Sequence, residues 1–209
     1  WLAFRFWPRR ALPQGWQAIR PPYDVMALAE YHDDIWAGGR DGLLRIDRNS
    51  GEILEEVEAD VELDDVTALL VDETEETLWV GHEGGLSCFK DGSWSTIGTE
   101  QGLPSERVLA LAEDHDGVLW AGTDAGLVSL NGSAEVYTVE DGLAGDTVST
   151  LFVDSGDRIW AGGGIFYGEG LSIYDGSTWE TLSVEDGLAH PMVNSIMEYP
   201  NGTYWIGTG

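Results

Sequence analysis

Residues 108–127 read VLALAEDHDGVLWAGTDAGL. The stretch runs from an apolar segment through an acidic turn to a tryptophan and a closing Gly-Leu pair, and this order recurs, complete or in part, in five copies along 209 residues. The copies start at equivalent valines, which are Val25, Val66, Val108, Val148 and Val193. Each copy also carries one signature tryptophan, and these are Trp36, Trp79, Trp120, Trp160 and Trp205, at spacings of 43, 41, 40 and 45 residues. A period of about 40 residues indicates a stacked or radial repeat array.

Each copy divides into four short segments separated by turn residues. The first segment is apolar or alternating and rich in residues that suit a pleated surface. Asp, Asn and Gly, which tolerate hairpin turns, separate it from the second segment, which carries the tryptophan. The third segment opens on Gly-Leu, and the fourth is exemplified by residues 94–97. Four-stranded units at this period are the blades of a β-propeller. We therefore predict an all-β fold of four-stranded antiparallel blades, with about five blades in this chain.

The signature tryptophans and the glycines that follow them predict how the blades pack. One small twisted sheet cannot hide both of its faces, whereas blades packed radially cover each other. A tryptophan on an inner strand is a large apolar plate that suits the gap between neighbouring blades. We therefore predict a structural role for all five tryptophans. The glycines allow close backbone approach, or a bulge, at the same place.

The repeat boundaries predict the domain organisation. Full copies cover 25–65, 66–107, 108–147 and 148–192, and a partial fifth copy covers 193–209. Residues 16–24 are predicted to be an orphan outer strand with its connector, because they resemble the fourth segments of the repeats. A ring of five blades would still lack one strand, so we expect the chain to be an incomplete part of a larger propeller. Residues 1–15 are predicted to be an N-terminal arm, either membrane-proximal with aromatic and arginine anchors or packed on the propeller.

The net charge of −28, with Lys90 as the single lysine, argues against two classes of partner. So acidic a chain repels phosphates, which disfavours nucleic acid and, for the blades, an anionic membrane surface. Membrane association is expected only through the N-terminal arm, if at all. Most of the acidity is expected to be a solvated exterior. A cation site at residues 114–117 is the alternative, but these residues lack the ligand set of a calcium loop, and we predict no metal.

Motifs for catalysis are missing from the sequence. The four histidines share no short metal-ligand spacing, and no HExxH, Gly-x-Ser-x-Gly or phosphate-loop motif occurs. The carboxylates recur at turn positions, which favours a solvated frame over a glycosidase pair. The lone Cys88 lies in an apolar segment and is expected to be a core residue. The sequence therefore predicts no catalytic residues, no cofactor and no enzymatic activity.

The fourth copy departs from the others at one loop. The leucine of Gly-Leu follows the tryptophan by seven residues in the first three copies and by eleven in the fourth, between Trp160 and Leu171. The longer loop is rich in glycine and carries aromatic side chains that are costly to expose. The predicted ligand-binding residues, on this loop and its counterparts, are Phe166, Tyr167, Glu169, Arg40, Asp41, His82, Glu83 and Asp124. The alternative for the two aromatic residues is packing on a neighbouring blade.

The whole pattern resembles the two-component regulator propeller repeat. The resemblance is carried by residues 108–127 and by Glu-x-Gly-Leu connectors at 100–103, 140–143 and 185–188. It covers about residues 25–209 and is weakest in the first copy, which lacks such a connector. The resemblance implies an extracytoplasmic (periplasmic or cell-surface) sensing propeller of the kind found in hybrid histidine kinases, often responding to glycans. It transfers no catalytic motif.

Functions from different classes fit these observations. We expect a non-enzymatic sensor or recognition module that binds a small-molecule or carbohydrate ligand at the axial loop face. The alternative is a protein-interaction scaffold whose partner is another protein of a larger assembly. A propeller enzyme, such as a lyase or glycosidase, is a third hypothesis. It would need a converged cluster of carboxylates or histidines with shifted pKa values.

Overall fold

A computed structural model describes residues 24–58, 63–164 and 170–209. The described chain forms five antiparallel sheets in sequence order. The first sheet contains β1 (Val25–Tyr31), β2 (Asp34–Gly39), β3 (Gly42–Asp47) and β4 (Ile53–Glu56). The second contains β5 (Ala68–Asp72), β6 (Thr77–His82), β7 (Gly85–Lys90) and β8 (Ser93–Ile97). One 3-10 turn, Thr99–Gln101, follows the second sheet.

The third and fourth sheets repeat this plan, and the fifth has two strands. The third contains β9 (Val108–Glu113), β10 (Leu119–Thr123), β11 (Gly126–Leu130) and β12 (Ala134–Tyr137). The fourth contains β13 (Thr150–Val153), β14 (Ile159–Gly162), β15 (Leu171–Tyr174) and β16 (Trp179–Leu182). The fifth contains β17 (Val193–Tyr199) and β18 (Thr203–Thr208). We call the five sheets blades one to five. No helix in the described ranges is long and apolar enough to cross a bilayer.

The blades stand side by side with their first strands adjacent. Within each blade the strands pair in the order of the sequence, and the first strands β1, β5, β9, β13 and β17 pack each against the next. Among the described residues β1 and β17 show no comparable packing, so the described blades are arranged in an arc. This radial arrangement of four-stranded sheets confirms the predicted β-propeller architecture.

The signature tryptophans of the first four blades lie at the boundary with the following blade. Trp36, Trp120 and Trp160 are each at most 5% exposed. The ring of Trp36 lies 5.7 Å from that of Phe89 in the second blade, and Trp160 stacks on Tyr204 of the fifth blade at 4.4 Å. The hydrophobic clusters that contain these tryptophans each span two blades. The tryptophans are therefore the plates between blades that the sequence predicts.

The glycine two residues after each tryptophan lets the next blade approach. A Cβ at Gly122 would lie 2.7 Å from Cγ1 of Val148, the valine that opens the fourth copy. A Cβ at Gly162 would lie 2.8 Å from Cβ of Val193 in the fifth blade. Distances this short are not tolerated between real Cβ atoms and their neighbours, so the repeated glycine and the repeated valine form one complementary contact.

The Glu-x-Gly-Leu connectors insert a leucine into each blade boundary. Leu103 and Leu143 are 3% and 5% exposed and belong to the clusters between blades. Gly102 and Gly142 precede them with φ of +113°, which a side chain would strain. The first copy lacks this connector motif, but Leu63 is 6% exposed and fills the corresponding cluster. The leucine is thus supplied even where the motif is missing.

The fifth blade differs from the others in its signature tryptophan. Trp205 is 63% exposed, so the prediction of a buried tryptophan in every copy is wrong at this position. The reason is geometric, because each tryptophan faces the following blade and no described sheet follows β18. The predicted arm at 1–15 lies outside the described residues, as does the orphan strand at 16–24 apart from Asp24.

Candidate functional site

The loops between the second and third strands share one face with the connectors between blades. The backbone N–H of Asp65 donates to the carbonyl of Arg40 at 3.2 Å, and that of Val148 donates to the carbonyl of Thr123 at 2.8 Å. The 40–41 loop and the end of β10 are therefore held by the connectors that lead into the next blade. The N–H of Glu83 donates to Asp64, in the connector that precedes its own blade, at 3.4 Å. We call the surface formed by loops 40–41, 83–84 and 124–125 and by the adjoining connectors the connector face.

Four of the predicted ligand-binding residues are exposed on the connector face. Arg40, Asp41, Glu83 and Asp124 all lie in the two-residue loops that join second to third strands. The Arg40 side chain is 73% exposed, and its Nε lies 3.9 Å from Asp24 and 3.8 Å from Asp65. Such long, exposed ion pairs contribute little to stability, so the Arg40 guanidinium remains available to another partner.

The fifth predicted residue, His82, lies in the interior. It ends β6, and the alternation of the strand places it on the same face as Leu78 and Val80, so that it is 1% exposed. Its Nδ1 accepts a hydrogen bond from the Gly84 N–H at 3.1 Å. Nε2 must then carry the proton, and it donates to Oγ of Ser87 at 2.9 Å. The structure thus places His82 beneath the connector face.

Burial keeps this imidazole neutral. Removal from water lowers the pKa of His82, and the nearby carboxylates of Asp64 and Glu106 offset only part of that effect. Thr123 holds the equivalent place in the third blade, where its Oγ1 accepts from the Ala125 N–H at 3.1 Å. Both side chains therefore close the loop that follows them. The geometry gives this position a role in supporting the loop.

Other carboxylates of the connector face are held in turns. Glu106 accepts hydrogen bonds from the backbone N–H and the hydroxyl of Thr99, at 3.0 and 2.7 Å. These bonds lower the pKa of Glu106. Asp146 accepts from the N–H of Val139 at 2.9 Å in the next connector. The connector face is thus an acidic surface on which Glu106 and Asp146 accept hydrogen bonds from its turns.

The remaining predicted residues, Phe166, Tyr167 and Glu169, lie outside the described residues. The described ends of their loop are fixed to the same face. The N–H of Gly170 donates to the carbonyl of Pro191 at 3.0 Å, and the carbonyl of Gly163 accepts from the N–H of Val193 at 3.4 Å. Gly164 and Gly170 have φ of +97° and +115°, which explains the need for glycine at both ends.

The opposite face holds a cluster that the sequence reasoning did not identify. Asp154 lies in the first turn of the fourth blade and is only 1% exposed. Its Oδ2 accepts hydrogen bonds from the Trp160 indole at 2.9 Å and the Arg158 Nε at 2.8 Å. The Tyr204 hydroxyl donates to the same oxygen at 3.1 Å. Asp154 therefore joins the fourth blade to the fifth and is not part of a solvated exterior.

These bonds determine the ionisation of Asp154. Burial alone would raise the pKa of the carboxyl group, but the donors from Arg158, Trp160 and Tyr204 outweigh it and hold the pKa at about 2. The third blade repeats part of the arrangement, because Asp114 accepts from the Trp120 indole at 2.8 Å. The signal in the sequence is the six-residue spacing from aspartate to tryptophan that the third and fourth copies share.

At residues 114–117, the alternative cation site, the Asp114 carboxylate is again occupied by hydrogen bonds. Oδ1 of Asp114 accepts from the backbone N–H groups of Asp116 and Val118, at 3.1 and 2.8 Å. The carboxylate therefore caps its own turn. Within residues 24–58, 63–164 and 170–209, no group of three or more His, Cys, Asp or Glu is arranged to hold a metal ion.

Small four-stranded sheets with adjacent first strands and tryptophans between blades define the chain as a β-propeller protein. Its repeat is of a known type, since residues 102–125 match the family model described as two component regulator propeller. This match confirms the resemblance found in the sequence, over one repeat. No curated protein sequence matches the chain.

Solved structures with the same fold include an extracellular domain of a two component system. The extracellular domain of a hybrid two component system of B. thetaiotaomicron is similar at a TM-score of 0.79 and 21% identity, over 92% of this chain and 28% of that one. PorZ, a surface component of the type-IX secretion system of Porphyromonas gingivalis, gives 0.68 at 19% identity, over 95% and 33%. Virginiamycin B lyase of Staphylococcus aureus gives 0.67 at 11%, over 87% and 62%. The chain spans less than two thirds of each, and these identities establish the fold alone.

Proposed function

We propose that the chain is a non-enzymatic recognition module of an extracytoplasmic sensor, and that it binds a carbohydrate on the connector face. One observation carries the proposal. The strands that flank the loops between second and third strands are repeated from blade to blade, yet the exposed side chains of these loops differ in every copy. They are Arg40-Asp41 in the first blade, Glu83-Gly84 in the second and Asp124-Ala125 in the third. Constant frames with varied loops are typical of binding surfaces.

The chemistry of the face favours a ligand rich in hydroxyl groups. Ionised carboxylates accept hydrogen bonds and donate none, and charge-assisted bonds from hydroxyls to carboxylates are the stronger kind. Glu83 and Asp124 offer exposed acceptors, while Arg40 offers donors on the same face. An anionic ligand would be repelled by a chain of net charge −28. A neutral oligosaccharide meets both conditions. The similar extracellular domains of two component systems support the sensing role and the extracytoplasmic location.

The test is ligand-induced thermal stabilisation with a panel of neutral oligosaccharides. A ligand that binds the folded state raises Tm by mass action. We expect at least one oligosaccharide to do so, and we expect the double variant Phe166→Ala, Tyr167→Ala and the variant Asp124→Asn to lose the shift. Glu180→Gln, in the middle of the outer strand β16, is the matched control and should keep it. A panel without any shift, or a shift that survives both variants, would refute the proposal.

A protein-interaction scaffold is the second candidate, and a specific surface favours it. Met197, Tyr199 and Trp205 are 54%, 56% and 63% exposed on the fifth blade. Met197 and Trp205 are partners across β17 and β18, so they share one face of the sheet. Apolar patches of this kind mark contact sites, and the occupant is either another protein or a following blade of the same array. If a protein binds there, Trp205→Glu will abolish that complex and leave oligosaccharide binding unchanged.

A further inference from the structure

The boundary between the second and third blades contains a cleft of about 380 Å³. Trp79, Ile97 and Gln101 line it from the second blade and its connector, and Leu119, Leu130 and Ala134 line it from the third. The lining is mainly apolar, with a few polar groups at its edge. Its volume lies within the range of about 300–1,000 Å³ that is usual for ligand pockets.

The cleft exists because the third blade lacks an aromatic pair that two other blades possess. In the second blade Phe89 and Trp94 lie opposite each other with ring centroids 5.0 Å apart. In the fourth blade Tyr174 and Trp179 do the same at 4.8 Å. These pairs fill the boundaries against Trp36 and Trp120 respectively. The equivalent pair in the third blade consists of two smaller, aliphatic side chains.

Leu130 and Ala134 occupy those positions in β11 and β12. An alanine in place of a tryptophan leaves the volume of an indole ring unfilled. In consequence Trp79 is only half-buried, whereas Trp36, Trp120 and Trp160 are buried. The face of an apolar ring is thus left open on a boundary that is closed elsewhere in the same chain.

The indole N–H of Trp79 is a second difference. Trp36 donates to the carbonyl of Tyr31, and Trp120 and Trp160 donate to aspartate carboxylates. Among the described residues Trp79 has no acceptor, because Asp72 precedes it by seven residues and its carboxylate caps the turn at Thr74 and Glu75. Trp79 is half-buried, and its N–H is not among the buried donors that lack a partner, so solvent can satisfy it.

We propose that this cleft is a binding site for a planar aromatic ring carried by a small molecule. The ring would lie against Trp79, as Phe89 lies against Trp36, and Leu119, Leu130 and Ile97 would surround it. Aromatic stacking adds to the stabilisation from apolar burial. Gln101 accepts from the Gly98 N–H through Oε1 at 2.8 Å, so its amide N–H groups remain free to donate to a polar substituent on the ring. The site is distinct from the connector face and does not depend on it.

The probe is indole, titrated into the protein while the indole N–H resonances of its tryptophans are followed by NMR. We expect a saturable shift of the Trp79 resonance. Trp205 is a built-in control, because its exposed ring reports non-specific stacking. Ala134→Trp supplies the missing ring from the chain itself and should weaken indole binding at least tenfold while raising Tm. Glu135→Trp adds the same ring on the opposite side of β12 and should leave indole binding unchanged.

Three results would overturn the proposal. The first is that indole leaves the Trp79 resonance unmoved. The second is a shift at Trp79 that fails to saturate and equals the shift at Trp205. The third is a folded Ala134→Trp protein that binds indole as tightly as the original chain. Should Ala134→Trp fail to fold, the first two results decide the matter on the unmodified chain.

Discussion

Trp160 and Trp205 hold the same position in the repeat and lie in opposite environments. Trp160 is 4% exposed, stacks on Tyr204 at 4.4 Å and donates its indole N–H to Asp154. Trp205 is 63% exposed, and Met197 beside it is 54% exposed. Each of these tryptophans lies on the second strand of its blade. The difference is the following blade, which covers Trp160 and has no counterpart at Trp205 among the described residues.

The comparison shows that stability in this array resides in the boundaries between blades. A blade alone buries one face of its sheet, and the second face is buried only by its neighbour. The same rule holds for the repeated glycine, because Gly162 meets Val193 of the next blade whereas Gly207 meets only Ser195 of its own sheet. The repeat motif therefore describes half of a contact, and the next copy supplies the other half.

The largest expected difference comes from removing the two tryptophans. Trp160→Ala should cost about 3–5 kcal/mol of unfolding free energy, the usual loss for a buried large aromatic residue. Trp205→Ala should cost less than about 1 kcal/mol, as is typical of exposed positions. Urea unfolding of both variants at one pH measures the two values. Equal costs would mean that the blade boundary contributes nothing to the burial of Trp160.

The next difference concerns the carboxylate that links the fourth and fifth blades. Asp154→Asn should cost about 2.5 kcal/mol at pH 7, because the pKa of Asp154 is held at about 2 against an ordinary 3.8 and each unit is worth about 1.4 kcal/mol. The folded-state pKa is the lower one, so the contribution is complete above about pH 4 and is lost as the pH falls towards 2.

Urea unfolding at pH 7, 4 and 2.5 tests this dependence. The gap between Asp154→Asn and the unmodified chain should close as the pH falls. Asp116→Asn, in an exposed turn of the third blade, is the control and should leave stability unchanged at every pH. A gap of constant size across this range would show that the charge of Asp154 does not stabilise the boundary.

A smaller difference is expected at the repeated glycine. Gly162→Ala forces a methyl group against Val193 of the fifth blade and should cost about 1–3 kcal/mol by overpacking. Gly207→Ala meets only the hydroxyl of Ser195, which can rotate away, and should cost less than about 1 kcal/mol. Thermal unfolding of the two variants checks the order. A reversed order would contradict complementary packing between blades.

The smallest effect is expected at His82, which lies inside one blade. His82→Thr copies the residue found at position 123 and should cost about 1 kcal/mol at pH 7, since one loop-closing bond replaces another. The pKa of buried His82 is lowered, so the unfolded state takes up the proton first and stability falls as the pH drops below about 6.5. Tm measured at pH 7.5 and 5.5 should drop more in the original chain than in the variant. Equal drops would place the acid sensitivity elsewhere.

The architecture could be predicted from the sequence because every copy must bury the same groups. Four segments per copy, the tryptophan between blades and the close approach at glycine all follow from periodicity and from the size of the side chains. The exposure of Trp205 could not be predicted in this way, because it depends on the neighbouring blade and not on the local sequence. The candidate site, likewise, could be predicted from the sequence only in part. Exposure of Arg40 and Asp124 follows from their place in two-residue loops.

His82 and Asp154 show where reading the sequence was incomplete. His82 follows Leu78 and Val80 at intervals of two, and this alternation points inward. Its chemistry suggested a ligand, but its register placed it in the core. The sequence predicts a mostly solvated set of carboxylates, but the six-residue spacing from Asp154 to Trp160 brings these two side chains together. In both residues the position in the repeat, more than the residue type, determined the environment.

Hydrogen exchange of the indole N–H groups, followed by NMR, tests most directly whether each blade covers the tryptophan of the one before it. The indole protons of Trp120 and Trp160, which are bonded to Asp114 and Asp154, should exchange at least about a hundredfold more slowly than that of Trp205. Exchange at Trp160 as fast as at Trp205 would contradict the account, because the fifth blade would then not cover the fourth.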